Sequence, residues 1–267
     1  MQSWRALNAD VNGTTISYLR TGGAKPPAVL LHGLMGNGAG WTPVARLLEA
    51  EFDVIMPDAR GHGGSSAPDS GYRYPDLAAD VAGLIQELGL SNLVLIGHSM
   101  GGMTAALAAT RIGHLLRGLV LVDPTFLSRE RQREVYESDV AAEHRHALNV
   151  GKNALLADAL ARHARRPPEI VELQIEARLG TSLAAFDILR PPNPPYRELV
   201  SALDVPTLLV IGDKPVVTLD VATELGEVNP LLRVDQVSDA GHGLPFDQPE
   251  QLVRSVLAFV GELPSAA

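Results

Sequence analysis

Leu93-Val94-Leu95-Ile96-Gly97-His98-Ser99-Met100-Gly101 is the stretch that decides the fold. Four apolar residues in unbroken succession read as a strand covered on both faces, because a half-exposed strand would alternate. The small residues from Met103 to Ala109 then set a helical pattern. The stretch therefore predicts a strand, a sharp turn and a helix, with Ser99 at the apex. Glycine on either side, at positions 97 and 101, lets the backbone turn this tightly without side-chain collision. The helix start beneath the serine offers free N–H groups and the positive end of a dipole, which favour a developing anion. A serine held this way is in position to act as a nucleophile.

Two further polar loops follow apolar runs. His32-Gly33-Leu34-Met35-Gly36 closes Ala28–Leu31, and Asp239-Ala240-Gly241-His242-Gly243 follows Leu232–Val237. Similar runs at Thr14–Leu19, Phe52–Met56, Leu119–Val122 and Thr207–Ile211, with the run at Asn92–Ile96, predict seven strands. Helical patterns lie between several of them. In Pro75 to Leu88, the residues Leu77, Val81, Leu84, Ile85 and Leu88 recur on one face, Pro75 suits the first turn and Gly89 can end the helix. Pro249 to Val260 is a second such pattern. Strands alternating with helices predict an α/β fold, a mostly parallel central sheet flanked by helices, and loops at the carboxyl ends of parallel strands converge where such sheets bind ligands. Residues 124–203 break the alternation, with helical stretches at Arg129–Leu148, Ala154–Ala164 and Glu169–Leu179 and then the stiff connector Pro191-Pro192-Asn193-Pro194-Pro195. The expected organisation is a core of 1–123 and 204–267 with a helical lid, 124–203, inserted after the strand ending at Val122.

Composition narrows the function. The 267 residues suffice for one large core. There is no cysteine, which excludes a disulfide framework, a thiolate metal site and a cysteine nucleophile. The net charge of −9 argues against nucleic acid or an anionic membrane as partner. Residues 124–203 hold 11 of the 22 basic and 11 of the 31 acidic residues, so the inserted segment is neutral and reads as solvated, ion-paired helix faces. The opening residues, with Trp4, Arg5 and Asn8, form no long apolar run, and no segment approaches the ~18 apolar residues of a membrane span, so a cytoplasmic protein is expected. None of these features assigns an oligomeric state.

The His32-Gly33…Gly36 element, the run Asp58-Ala59-Arg60-Gly61-His62-Gly63-Gly64-Ser65, the serine turn and the late Gly241-His242 occur in the order found in the α/β-hydrolase superfamily, which the chain resembles over nearly its whole length. The resemblance implies a serine hydrolase with a helical lid and no cofactor.

The residues themselves support that chemistry. Ser99 needs an adjacent imidazole to take its proton during attack, and His242 is the best-placed base. His98 is expected to point away from Ser99, His62 lies in a glycine loop, and His114, His144, His146 and His163 lie in helical or exposed-looking stretches. His144 and His146, two apart, fall on different sides of a helix, so no metal site is expected. The oxyanion formed on attack needs two N–H donors. The turn supplies Met100, and the resemblance implies Leu34, with Met35 as the alternative. For the acid, many relatives carry an aspartate three residues after the glycine that follows the strand equivalent to Thr207–Ile211, where Gly212-Asp213-Lys214-Pro215 here puts a proline. Asp123, at the end of Leu119–Val122, is the preferred replacement, an arrangement of the acid that some lipases, dehalogenases and the zearalenone lactonases of the superfamily resemble; Asp213 is the alternative. Leu34, Met35, Trp41, Met103 and Phe126 are expected to line an acyl pocket.

A serine at the turn argues against the dehalogenases and epoxide hydrolases of the superfamily, which use a carboxylate there. What remains is a small-molecule ester or lactone as substrate, with carbon–carbon bond hydrolysis of a diketone-like substrate, or a non-catalytic small-molecule receptor on the same fold, as the competing readings.

Overall fold

The expected apolar runs all become strands of a single sheet in the computed structural model, which describes residues 4–264. An eighth strand precedes them. The strands are β1 (Arg5–Val11), β2 (Thr14–Arg20), β3 (Pro27–Leu31), β4 (Asp53–Pro57), β5 (Leu93–His98), β6 (Leu116–Val122), β7 (Thr207–Ile211) and β8 (Leu232–Gln236), in the spatial order β1-β2-β4-β3-β5-β6-β7-β8. β1 with β2 and β2 with β4 are antiparallel, and every later pair is parallel. β1 escapes a reading by apolar runs because it lies at the sheet edge and buries only Ala9 and Val11.

The helices are α1 (Thr42–Leu48), α2 (Tyr74–Glu87), α3 (Met100–Ile112), α4 (Arg129–Glu137), α5 (Val140–Val150), α6 (Lys152–Arg162), α7 (Pro168–Leu179), α8 (Tyr196–Ser201), α9 (Leu219–Val228), α10 (Leu244–Asp247) and α11 (Pro249–Glu262). They cover both faces of the sheet, and the twofold alternation of strand side chains decides which residue meets which layer. Val29, Leu31, Leu93, Leu95, Leu119 and Leu121 pack with α2, α3 and α9. Their neighbours Ala28, Leu30, Val94, Ile96, Val120 and Val122 pack with α1 and α11. Burial on both faces is the reason the strands read as unbroken apolar runs. The start of α2 is fixed by Pro75 in the first turn and by the Asp76 carboxylate, which accepts the Arg73 backbone N–H at 2.9 Å; Gly89, at φ 61°, follows its end.

Among the described residues, 124–203 contain helices and no strand. The stretch expected as one helix over Arg129–Leu148 is two, α4 and α5. The break is Asp139, whose backbone is left-handed at φ 52° and whose carboxylate caps α5 by accepting the Ala142 N–H at 3.1 Å. α6 and α7 share a small apolar cluster of their own around Ala159, Val171 and Ile175. Tyr196, Leu199 and Val200 of α8 instead pack into the large cluster with α3 and α9, so the end of the 124–203 range belongs to the main core. No helix among the described residues is long and apolar enough to cross a membrane.

Candidate active site

β5 ends, and α3 begins, with Ser99 in a strained conformation, φ 55° and ψ −118°. A non-glycine residue there costs about 1–3 kcal/mol and persists only where its surroundings enforce it. They do so here. The Ser99 N–H donates to the Val122 carbonyl at 3.1 Å, and the Ser99 carbonyl accepts from Gly102, Met103 and Thr125 N–H groups at 3.0, 3.2 and 3.2 Å. A Cβ on Gly97 would strike the Gly101 carbonyl, and one on Gly101 would strike that of Leu31, so only glycine permits this close approach of strand and helix.

Ser99, His242 and Asp123 come together across residues far apart in sequence. His242 Nε2 lies 2.9 Å from Ser99 Oγ and His242 Nδ1 lies 2.6 Å from Asp123 Oδ2. Because a carboxylate can only accept, Nδ1 carries the proton and Nε2 is left to accept from the serine hydroxyl. Asp123 is fully buried, with φ 39°, and its carboxylate also accepts the Val216 and Val217 N–H groups at 2.9 Å. Those two donors stabilise the carboxylate and point its remaining lone pairs at the imidazole. Asp213 is elsewhere: it is exposed, and its Oδ2 accepts the Asp239 N–H at 2.6 Å, bracing the loop that carries His242.

The loop after β3 lies against the serine. A Cβ on Gly33 would stand 3.1 Å from Ser99 Cβ. Among the described residues neither the Leu34 nor the Met100 backbone N–H has a protein acceptor. His32 fixes this loop: Ala59 N–H donates to its Nε2 at 2.9 Å, so Nδ1 must carry the proton and donates to the Gly33 carbonyl at 2.7 Å. Burial pushes the His32 pKa down to about 4, against the smaller opposing effect of that bond. His98, as expected, does not face Ser99. Its Nε2–H donates to the backbone carbonyl of His242 at 2.7 Å, and burial, with His242 close by, lowers its pKa to about 4. His62 sits 5.0 Å from His32, ring to ring, and is driven to about 3 by burial and then by that neighbour. These histidines are neutral parts of the scaffold. The sequence reads His98 as a histidine turned from Ser99 and His32 as the head of its glycine loop, and their place at a strand end beside a glycine is the signal for the bonds that the structure assigns them.

The remaining histidines lie outside the site. His144, expected in an exposed-looking helical stretch, is fully buried, with Nε2 2.9 Å from the Thr181 carbonyl and its ring stacked on Phe186. His146 and His114 are exposed.

A cavity of about 130 Å³ opens beside the Gly33–Gly36 loop. Leu34, Met35 and Trp41 line it together with His98, Gln174 of α7 and Phe246 of α10. Phe126 and Met103, expected as pocket residues, do not. Phe126 stacks on Tyr196, ring centroids 5.3 Å apart, and Met103 is fully buried on the helix under the sheet; both belong to the main core. They were legible as apolar residues near the serine, but which face of the chain they occupy depends on packing between α3 and α8 that sequence spacing does not carry.

Residues 26–249 match the family model described as the alpha/beta hydrolase fold. The chain belongs to that family and is a hydrolase. It is 31% identical over 247 residues to the N-formylmaleamate deformylase of Pseudomonas putida, covering 90% of each chain. It is 27% identical over 266 residues to the 2-(acetamidomethylene)succinate hydrolase of Mesorhizobium japonicum, covering 94% of this chain and 93% of that one. Among solved structures, that of E-2-(acetamidomethylene)succinate hydrolase superposes with a TM-score of 0.84 at 25% identity, over 97% of this chain and all of the other.

Proposed function

We propose that this hydrolase cleaves a small carboxylic ester or lactone through an acyl-enzyme, with Ser99 as nucleophile, His242 as general base and then acid, and Asp123 as the residue that orients and supports the imidazole. The observation that carries the reading is the continuous chain from Ser99 Oγ through His242 to the buried Asp123, at 2.9 and 2.6 Å. As Oγ attacks the substrate carbonyl, its proton passes to Nε2 and the imidazolium is stabilised by Asp123. The carbonyl oxygen becomes an oxyanion, to which the Leu34 and Met100 N–H groups donate; two such donors contribute several kcal/mol to the transition state. Collapse expels the leaving group, which takes the proton from Nε2. Water then repeats the sequence on the acyl-enzyme and frees the acid. Every step uses the protein's own side chains and backbone. We infer further that α4 to α7, within residues 124–203, act as a lid, since α7 borders the cavity through Gln174 and Ala177, and that the protein works in the cytoplasm.

A second reading is favoured by the names of the two relatives, both of which place an acyl group on nitrogen. The same residues would serve an activated amide, with a nitrogen as leaving group. A fluorophosphonate probe followed by a panel of esters, lactones, N-acyl compounds and vinylogous diketones separates the readings. Labelling at Ser99 with ester or lactone turnover is the expected result. Labelling without any turnover would mean a non-catalytic receptor, and N-acyl or diketone turnover alone would replace the ester reading.

A further inference from the structure

The cavity beside the Gly33–Gly36 loop is lined by side-chain amides whose orientation the structure leaves no freedom to choose. Gln174 takes a hydrogen bond from the Arg166 guanidinium, Nη1 to Oε1 at 3.0 Å, and an arginine can only donate. The Gln174 oxygen is therefore turned away to Arg166. Asn37 takes the Gly40 backbone N–H at 2.9 Å on its Oδ1, and that bond caps the short helical turn Gly38–Trp41. Each residue is consequently left with an NH2 group that has no acceptor among the described residues, and both line the cavity. Trp41 borders the same cavity, and its buried indole N–H also lacks an acceptor. The buried Trp41 donor without a partner carries a free-energy penalty that a ligand oxygen can remove, and the half-buried Asn37 and Gln174 amides set two more open donors on the same cavity.

Charge points the same way. No aspartate or glutamate lines the cavity. Immediately behind Gln174 stands Arg166, its charge shared with Asp247 at 2.7 Å. Of the two lining histidines, His98 commits its Nε2–H to the His242 carbonyl and has its Nδ1 against Gly33, and His32 donates to the Gly33 carbonyl. Open side-chain donors, from Asn37, Gln174 and Trp41, thus outnumber side-chain acceptors on a wall whose Gly33 adjoins Ser99.

We propose that this cavity is a subsite for a carboxylate at the far end of a short acyl chain, held by the Asn37 and Gln174 amides with the Trp41 N–H, so that the preferred substrate is the half-ester of a small dicarboxylic acid. The placement of the carboxylate on the acyl side rests on the serine-hydrolase reading; the subsite itself does not.

Binding and turnover test the two separately. Monomethyl succinate and methyl valerate have similar length and differ in the terminal charge. In the Ser99→Ala protein, calorimetry is expected to give at least about tenfold tighter binding of the half-ester, the scale of a charged hydrogen-bonding group matched by its donors. Asn37→Asp and Gln174→Glu, placed on the same background, keep the oxygen that caps Gly40 or meets Arg166 and replace each donor with a second oxygen. Both are expected to abolish the preference, with folding checked by circular dichroism. In the wild type, pH-stat rates should show the half-ester ahead by a similar factor in kcat/KM. Equal binding of the two compounds, or a preference that survives both substitutions, overturns the subsite. Selective binding of the half-ester with no hydrolysis of either compound supports the subsite and overturns the ester reading instead.

Discussion

The carboxylate of Asp213 accepts the backbone N–H of Asp239 at 2.6 Å, three residues before the histidine that it never touches. The loops after β7 and β8 are tied a second time by the Asp213 N–H to the Ala240 carbonyl, at 2.7 Å, and a third time where Lys214 pairs with Gly241. Asp123 reaches the same histidine from the end of β6, and the backbone on either side of it is held by β7: Asp123 N–H donates to the Val210 carbonyl at 2.9 Å. Two acids thus serve one histidine. One is hydrogen-bonded to the ring and the other braces the loop that carries it.

Asp123→Asn should accordingly cut kcat by roughly 10²–10⁴, because an amide in place of the carboxylate cannot support the imidazolium and can favour the wrong tautomer. Asp213→Asn should be near wild type, since its amide oxygen still accepts the Asp239 N–H, whereas Asp213→Ala should lose a few-fold by loosening the loop. Steady-state kinetics on the three purified variants decide the matter. An inactive Asp213→Asn protein beside a normal Asp123→Asn protein would reverse the assignment.

Ser99→Ala and His242→Ala should each lose on the order of 10⁶ in kcat, and the double variant should lose hardly more, because nucleophile and base act as one unit. Folding should survive in both: His242 is half exposed, and an alanine at 99 still satisfies the backbone bonds that hold the turn. Residual activity above a tenth of wild type in either single variant would mean that a different group attacks the substrate.

Most of the frame was open to reading because buried parallel strands must be apolar on both faces, and glycine turns at their ends mark where polar residues gather. Ser99, His242 and Asp123 each follow such a strand or stand in such a turn. β1 was not legible, since an edge strand buries few residues, and neither were α1 and α9, whose short patterns sit between stronger signals. The choice between Asp123 and Asp213 turned on a proline at position 215; only the Val216 and Val217 N–H groups on Asp123 give that loop's shape a physical purpose. Phe126 was misplaced for the opposite reason: nearness to the serine along the chain says nothing about which way a ring points when a distant helix supplies its partner.

That correction predicts that Phe126→Ala acts on stability. Removing a buried ring stacked on Tyr196 should cost about 3–5 kcal/mol, with little change in the ranking of acyl groups among molecules that remain folded. Urea denaturation and a chain-length series of esters measure the two effects. A shifted substrate ranking at unchanged stability would return Phe126 to the pocket.

Acid should destabilise the protein from about pH 6.5 downward. His32, His62 and His98 are buried and neutral, with pKa values lowered by burial from 6.5 to about 4, about 3 and about 4. Above pH 6.5 these groups are neutral in the folded and unfolded chain alike, and stability is complete. As the pH falls the unfolded chain binds protons that the folded state refuses, so stability drops until the folded pKa values are reached. Each histidine contributes a slope of up to about 1.4 kcal/mol per pH unit in that window. The three lie beside one another under the site, so the loss should appear as one cooperative fall in Tm between pH 6.5 and 4, beginning well above the range in which carboxylates titrate. Thermal melts at half-unit intervals check this, and a Tm that stays level down to pH 5 would show that these imidazoles are not held neutral by burial.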